Sequence, residues 1–152
     1  MLKALTATPN DFTLTLLRLV AGIVFFAHGA QLGLGWFGGY GYAATMGFFT
    51  QQLHIPAPFA FLAIAAQLLG GLGLIVGFLT RIAAFGIGVT MATAALLNHL
   101  PNGLFMNWYG SQKGEGFEYH LLAIAIGVTL IIRGAGALSL DRLVASKASG
   151  AD

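Results

Sequence analysis

Few side chains in this 152-residue sequence could do chemistry away from water: four histidines, one arginine inside an apolar run, and a handful of amides and acids. An imidazole can give or take a proton near neutral pH, and a nearby carboxylate can serve as its partner. His28, His99, Glu118 and His120 are therefore the candidate catalytic, proton-handling residues. Arg18, His28, Gln67, Asn98, His99 and Trp36 are candidates for holding a polar ligand through hydrogen bonds, charge and stacking. His54 reads as an interface residue. No His-x-x-x-His or Glu-x-x-His spacing occurs, so neither a metal site nor haem is expected. With no cysteine present, thiol–disulfide relays and iron–sulfur clusters built by this chain are excluded. The glycine runs lack the Lys-Ser/Thr of a phosphate loop.

The elements that must position these groups follow from composition. Hydrophobic residues make up 57% of the chain and charged residues 8%, far below the roughly 25% charged content of soluble domains. Such a chain cannot cover a water-facing surface, and its partner is the lipid bilayer. A spanning helix needs about 20 mainly apolar residues. Four stretches qualify, at about 12–32, 59–79, 82–100 and 118–135, followed by a tail at 136–152. One membrane domain results: an all-α bundle of four transmembrane helices. Asn10 or Asp11 can cap the first helix, and Pro101 stops the third. Spans two and three turn tightly through Thr80-Arg81. A long outer loop at 33–58, free of Lys, Arg, Asp and Glu, joins spans one and two. Met46, Phe49 and Leu53 recur there at helical spacing, which predicts a short interfacial helix. Seven scattered Lys and Arg form no basic stripe, so nucleic acid is not a partner.

Lys3, Arg81, Arg133, Arg142 and Lys147 fall on one side of such a bundle and only Lys113 on the other, which predicts cytoplasmic chain ends. Small residues mark the packed faces. The stripes are Arg18, Gly22 and Gly29 in span one; Ala63, Gln67, Gly70 and Gly71 in span two; Gly88, Ala92, Ala95 and His99 in span three; and His120, Gly127 and Gly134 in span four. Glu118 and His120 are separated by about 200° on an ideal helix, so both cannot face inward. His28, Asn98, His99, Glu118 and His120 nonetheless share one level near the outer ends of their spans, whereas Gln67 lies near mid-bilayer and Arg18 nearer the cytoplasmic side.

The runs Leu16-Leu17-Arg18-Leu19, Phe26-Ala27-His28-Gly29-Ala30-Gln31, Gly35-Trp36-Phe37-Gly38-Gly39 and Gly47-Phe48-Phe49 resemble the DoxX family. So do Ile55-Pro56-Ala57-Pro58, Gln67-Leu68-Leu69-Gly70-Gly71, Thr80-Arg81-Ile82-Ala83-Ala84, His99-Leu100-Pro101-Asn102-Gly103 and Gly136-Ala137-Leu138-Ser139-Leu140-Asp141. The resemblance implies a small four-helix protein of the bacterial inner membrane. Relatives include the membrane component of a thiosulfate:quinone oxidoreductase, so the resemblance also implies quinone-linked electron transfer and an oxidoreductase partner subunit. Leu32 stands where the family often has Lys, and Gln67 where it often has Glu. The function expected is a membrane component of a quinone-linked redox system with a polar pocket near the periplasmic face. Alternatives from other classes are a non-catalytic scaffold or anchor for a partner protein, and a small-solute or proton pathway, for which a homo-oligomer would supply room. No motif fixes a reaction by itself.

Overall fold

The computed structural model describes residues 2–149, so the last three residues of the tail lie outside the described residues. Seven α-helices and no strand occur among them: α1 (Leu2–Thr6), α2 (Phe12–Leu34), α3 (Gly41–Gly47), α4 (Ala57–Val76), α5 (Thr80–Ala94), α6 (Glu118–Arg133) and α7 (Leu140–Ser149). Asp11 caps α2 by accepting the Thr13 and Leu14 amides, and Gly35 and Gly77 end α2 and α4 in the left-handed conformation that glycine adopts without strain. Three helical stretches are long and apolar enough to cross a membrane: Phe12–Leu34, Ala57–Val76 and Thr80–Asn102. At 16 residues, α6 is shorter, about 24 Å at 1.5 Å per residue.

Helices α2, α4, α5 and α6 run alternately up and down. The α2–α4 crossing is the closest. A Cβ on Gly29 would stand 2.2 Å from the Leu68 nitrogen, and one on Gly71 would stand 2.3 Å from the Phe26 nitrogen, so backbone packs directly on backbone. Phe25, Leu74, Ile87, Met91 and Leu130 fill the core between the four helices. Their outer faces carry exposed side chains such as Leu16, Ile23, Leu69, Phe85, Leu122 and Ile132. An apolar surface this extensive is stable only in lipid.

The packed face of α5 differs from the sequence-derived stripe. Thr80, Ala84, Ile87 and Met91 are buried, not Gly88 and Ala92. His99 is eight residues after Met91 and would sit about 80° off that face on an ideal helix. A π-helical turn over Ala95–His99 absorbs roughly one residue and brings the imidazole back toward the core side. The tail expected at 136–152 holds a helix, α7, and a short helix, α1, precedes the first span. They pack together at the end of the bundle that carries the α4–α5 turn, called here the hairpin end. The connections at 35–56, which holds α3, and at 103–117 form the loop end.

Arginines secure the hairpin end. Arg18 is 2% exposed and gives its Nε and both Nη nitrogens to backbone carbonyls. They reach Leu74 and Ile75 in the last turn of α4 at 2.8 and 2.5 Å, and Ala135, Ala137 and Leu138 beyond α6 at 2.9, 3.5 and 2.7 Å. Arg81 does the same for α6, donating to the Ile131 and Ile132 carbonyls, and it also reaches Ala7. Each cation thus meets carbonyls in the last turn of a neighbouring helix, at the negative pole of that helix. Asp141, 1% exposed, completes the arrangement by accepting the Leu79 and Thr80 amides at the start of α5.

Candidate functional site

Toward the loop end the four helices part around a cavity of about 230 Å³. Helix α2 contributes Phe25 and His28, α4 contributes Gln67, and α5 with its π-turn contributes Met91 and His99. Tyr119 and His120 come from the first turn of α6, and the loop after α5 closes over them with Met106 and Glu115.

His99 and His120 are the tightest pair, with ring centroids 4.1 Å apart and planes inclined by 40°. Tyr119 meets His120 edge-on at 5.6 Å and lies 6.4 Å from His28. His99 Nδ1 is 2.9 Å from the Glu115 carbonyl oxygen. A carbonyl only accepts, so Nδ1 carries the hydrogen, and Nε2 is the basic nitrogen of the neutral ring. Asn102 Nδ2 donates to the same carbonyl at 3.0 Å, and the Asn107 amide donates to Glu115 Oε2 at 2.6 Å. Backbone bonds from Gly116, Phe117 and Glu118 to Phe105, Gly103 and Leu104 hold the loop folded back on itself.

Among the described residues that line the cavity, two bear a buried polar atom without a hydrogen-bond partner: His120, at Nδ1, and Tyr119, at its hydroxyl. Leaving a buried polar atom unpaired costs about 1–3 kcal/mol. Unpaired groups of this kind in a cavity wall are those a ligand can satisfy. Gln67 is 6% exposed, and no described residue hydrogen-bonds its amide.

Of the residues singled out from sequence, His28, Gln67, His99 and His120 therefore meet in one cavity. The remaining four lie elsewhere. Arg18 is at the hairpin end with its donors committed to carbonyls. Asn98, on the other side of the π-turn, borders an apolar groove between α4 and α5. Trp36 is half exposed and packs edge-on against Phe37. Glu118 points away from His120, as 100° per residue demands, and its carboxylate accepts from the Trp108 indole at 3.4 Å. Among the described residues, no group of three His, Asp or Glu side chains could hold a metal.

The sequence reading did not select Phe25, Met91, Met106, Glu115 and Tyr119. Phe25, seven residues after Arg18, lies on the Arg18–Gly22 stripe and was open to detection. Met91 shares a face with His99 only because of the π-turn, and Glu115 reaches the cavity through loop folding that no spacing rule encodes.

Fold and cavity together define a polytopic helical membrane protein whose spans enclose a small pocket lined by imidazoles. Residues 13–100, more than half of the chain, match the family model described as DoxX. The chain belongs to the DoxX family. No curated protein and no solved structure is significantly similar to it.

Proposed function

We propose that this protein is the membrane component of a quinone-linked redox system and that its cavity takes the quinone head. The observation that carries the reading is the pair of unpartnered buried atoms, Tyr119 Oη and His120 Nδ1, on two residues that line a pocket shared with His28, Gln67 and His99. A quinone ring offers carbonyl oxygens that accept from a hydroxyl or an imidazole N–H, and the Gln67 amide can also donate to it. Phe25 and Met91 supply apolar contact for the ring faces. At about 230 Å³ the cavity is smaller than the roughly 300–1,000 Å³ typical of drug-sized ligands. It suits a single ring, with any isoprenoid tail left among lipid chains. A bound quinone supplies reversible uptake of two electrons and two protons. His99, oriented by the Glu115 carbonyl, holds a basic nitrogen for one of those protons.

The same reading makes α6 a fourth span. Residues 119–132 carry no Asp, Glu, Lys or Arg, with Glu118 and Arg133 at the two ends. The helix is antiparallel to α5, and the folded loop at 103–117 covers its outer end, so irregular backbone there is shielded by protein. Lys and Arg collect at the hairpin end, which favours a cytoplasmic hairpin end and a cavity facing the periplasm of a bacterial inner membrane.

Purification in mild detergent followed by lipid extraction tests the proposal. Quinone should co-purify, and added decylubiquinone should bind with an affinity lowered about tenfold by Tyr119→Phe or His120→Ala, the loss of one hydrogen bond of about 1.4 kcal/mol. Absence of quinone together with no measurable binding refutes it. A non-catalytic anchor is favoured instead by the exposed loop-end aromatics, with Tyr40 87%, Trp108 81% and Tyr109 95% exposed. That reading requires a co-purifying protein that is lost when Trp108 and Tyr109 are changed to Ser.

A further inference from the structure

We propose that the cavity communicates with water at the loop end alone, through a mouth formed by Glu115 and His99, and that protons exchanged with a bound ligand use this mouth. The inference rests on the cavity being a ligand site, but its test does not depend on the ligand being a quinone.

The route is read from the innermost group outward. Tyr119 Oη and His120 Nδ1 are buried and unpartnered. His120 lies ring to ring with His99 at 4.1 Å, and His99 is fixed by the Glu115 carbonyl with its basic Nε2 available. Glu115 both lines the cavity and is exposed. A proton accepted by His99 is one contact from exposed Glu115, whose backbone carbonyl holds the ring and whose carboxylate accepts from the Asn107 amide. His28, more than a third exposed, is the remaining titratable residue in the cavity lining, and Glu118, at the same level, faces away toward Trp108.

The opposite direction is closed. Helix α4 has no titratable side chain at all. Toward the hairpin end, α2 offers none between His28 and Arg18, α5 none between His99 and Arg81, and α6 none between His120 and Arg133. The volume between is filled by Phe25, Leu74, Ile87 and Leu130, each 3% exposed or less. Arg18, where this layer ends, donates to five carbonyls and cannot be deprotonated in a protein. A proton leaving the cavity inward would cross several turns of helix without an acceptor.

The natural chain has no cysteine, so accessibility can be read with single introduced thiols. Gln67→Cys and Met91→Cys report on the cavity, Tyr109→Cys on the loop end and Lys147→Cys on the hairpin end. All are examined in the full chain, in right-side-out and inverted membrane vesicles, with charged membrane-impermeant methanethiosulfonate reagents. The cavity thiols should react in the vesicles where Tyr109→Cys reacts and stay unmodified where Lys147→Cys reacts. Adding Glu115→Gln should lower the ratio of cationic to anionic reagent rates about fivefold, the factor that about 1 kcal/mol of lost Coulomb attraction represents. Labelling from the hairpin end, labelling from neither end in either cavity variant that retains the parent melting temperature, or an unchanged rate ratio overturns the proposal. Loop-end labelling that decylubiquinone fails to block leaves the route standing and counts against the quinone reading alone.

Discussion

Replacing Arg18 by Met keeps an apolar stem of similar length and removes the donors that hold the hairpin end together. Two of the five carbonyls retain another partner: Leu74 accepts from the Gly77 amide at 3.3 Å, and Ala137 accepts from Thr15 Oγ1 at 2.6 Å. Ile75, Ala135 and Leu138 lose the only side-chain donor they have. At about 1–3 kcal/mol for the buried Ala135 carbonyl and about half that for each of the part-buried Ile75 and Leu138 carbonyls, the gross loss is about 2–6 kcal/mol. Relief of the guanidinium's own desolvation offsets part of this. Asp141, which interacts electrostatically with Arg18 and is 1% exposed, loses that countercharge while keeping its two amide bonds, and this adds to the loss. A net destabilisation of about 3–5 kcal/mol follows, the range seen when one partner of a buried charge pair is deleted. For a chain of this size that lowers the melting temperature by about 10 °C or more. Thermal unfolding in detergent, followed by tryptophan fluorescence, measures it. Arg18→Lys should fall between, because one ammonium cannot span carbonyls on two separate segments. Asp141→Asn should cost less in the Arg18→Met background than alone. A melting temperature within 3 °C of the parent for Arg18→Met would refute the reasoning.

Gly29→Ala places a methyl 2.2 Å from the Leu68 nitrogen and should destabilise by at least about 1–3 kcal/mol, whereas Gly47→Ala meets nothing within 4 Å and should be neutral or stabilise by up to about 1 kcal/mol; paired melting curves decide. Tyr119→Phe removes a buried hydroxyl that has no partner, so the melting temperature of the ligand-free protein should hold or rise while decylubiquinone binding weakens about tenfold. A parallel loss of both would show that the hydroxyl is structural. Leu138 sits at φ 49° with its side chain 76% exposed, so Leu138→Gly should stabilise by about 1 kcal/mol in the same unfolding assay, and a loss of stability would mean that the leucine side chain makes contacts worth more than the strain.

Much of the arrangement was legible in the sequence because lipid imposes simple rules. Apolar length identified α2, α4 and the stretch from Thr80 to Asn102, with ends displaced by only a few residues. Small-residue spacing found the crossings at Gly22, Gly29 and Gly71, since only glycine permits backbone contact there. The site was half legible: His28, His99 and His120 converge because their helices present polar groups at a common depth, and Gln67, expected deeper in the bilayer, joins them in the cavity lining. Arg18 illustrates the limit. Intramembrane charge signals that something must compensate it, but composition does not say whether a ligand or the chain's own carbonyls will do so. The carbonyls of α4 and of the segment beyond α6 become acceptors only after those helices have ended beside α2. The π-turn that ends at His99 was likewise invisible, because no proline or glycine lies within it and Pro101 just beyond reads only as a helix stop.

The partners of Arg18 also impose a timetable. Ala135, whose carbonyl accepts from Nε, leaves the ribosome 117 residues after the arginine itself. During synthesis α2 therefore carries a charge whose acceptors do not yet exist, and it must shelter near the headgroups or beside the insertion machinery. Final seating of α2 waits for the last strap of polypeptide. A stop codon just after Arg133 would remove little of the membrane-embedded mass, yet it would strand the earliest segment made and hand the product to quality-control proteases.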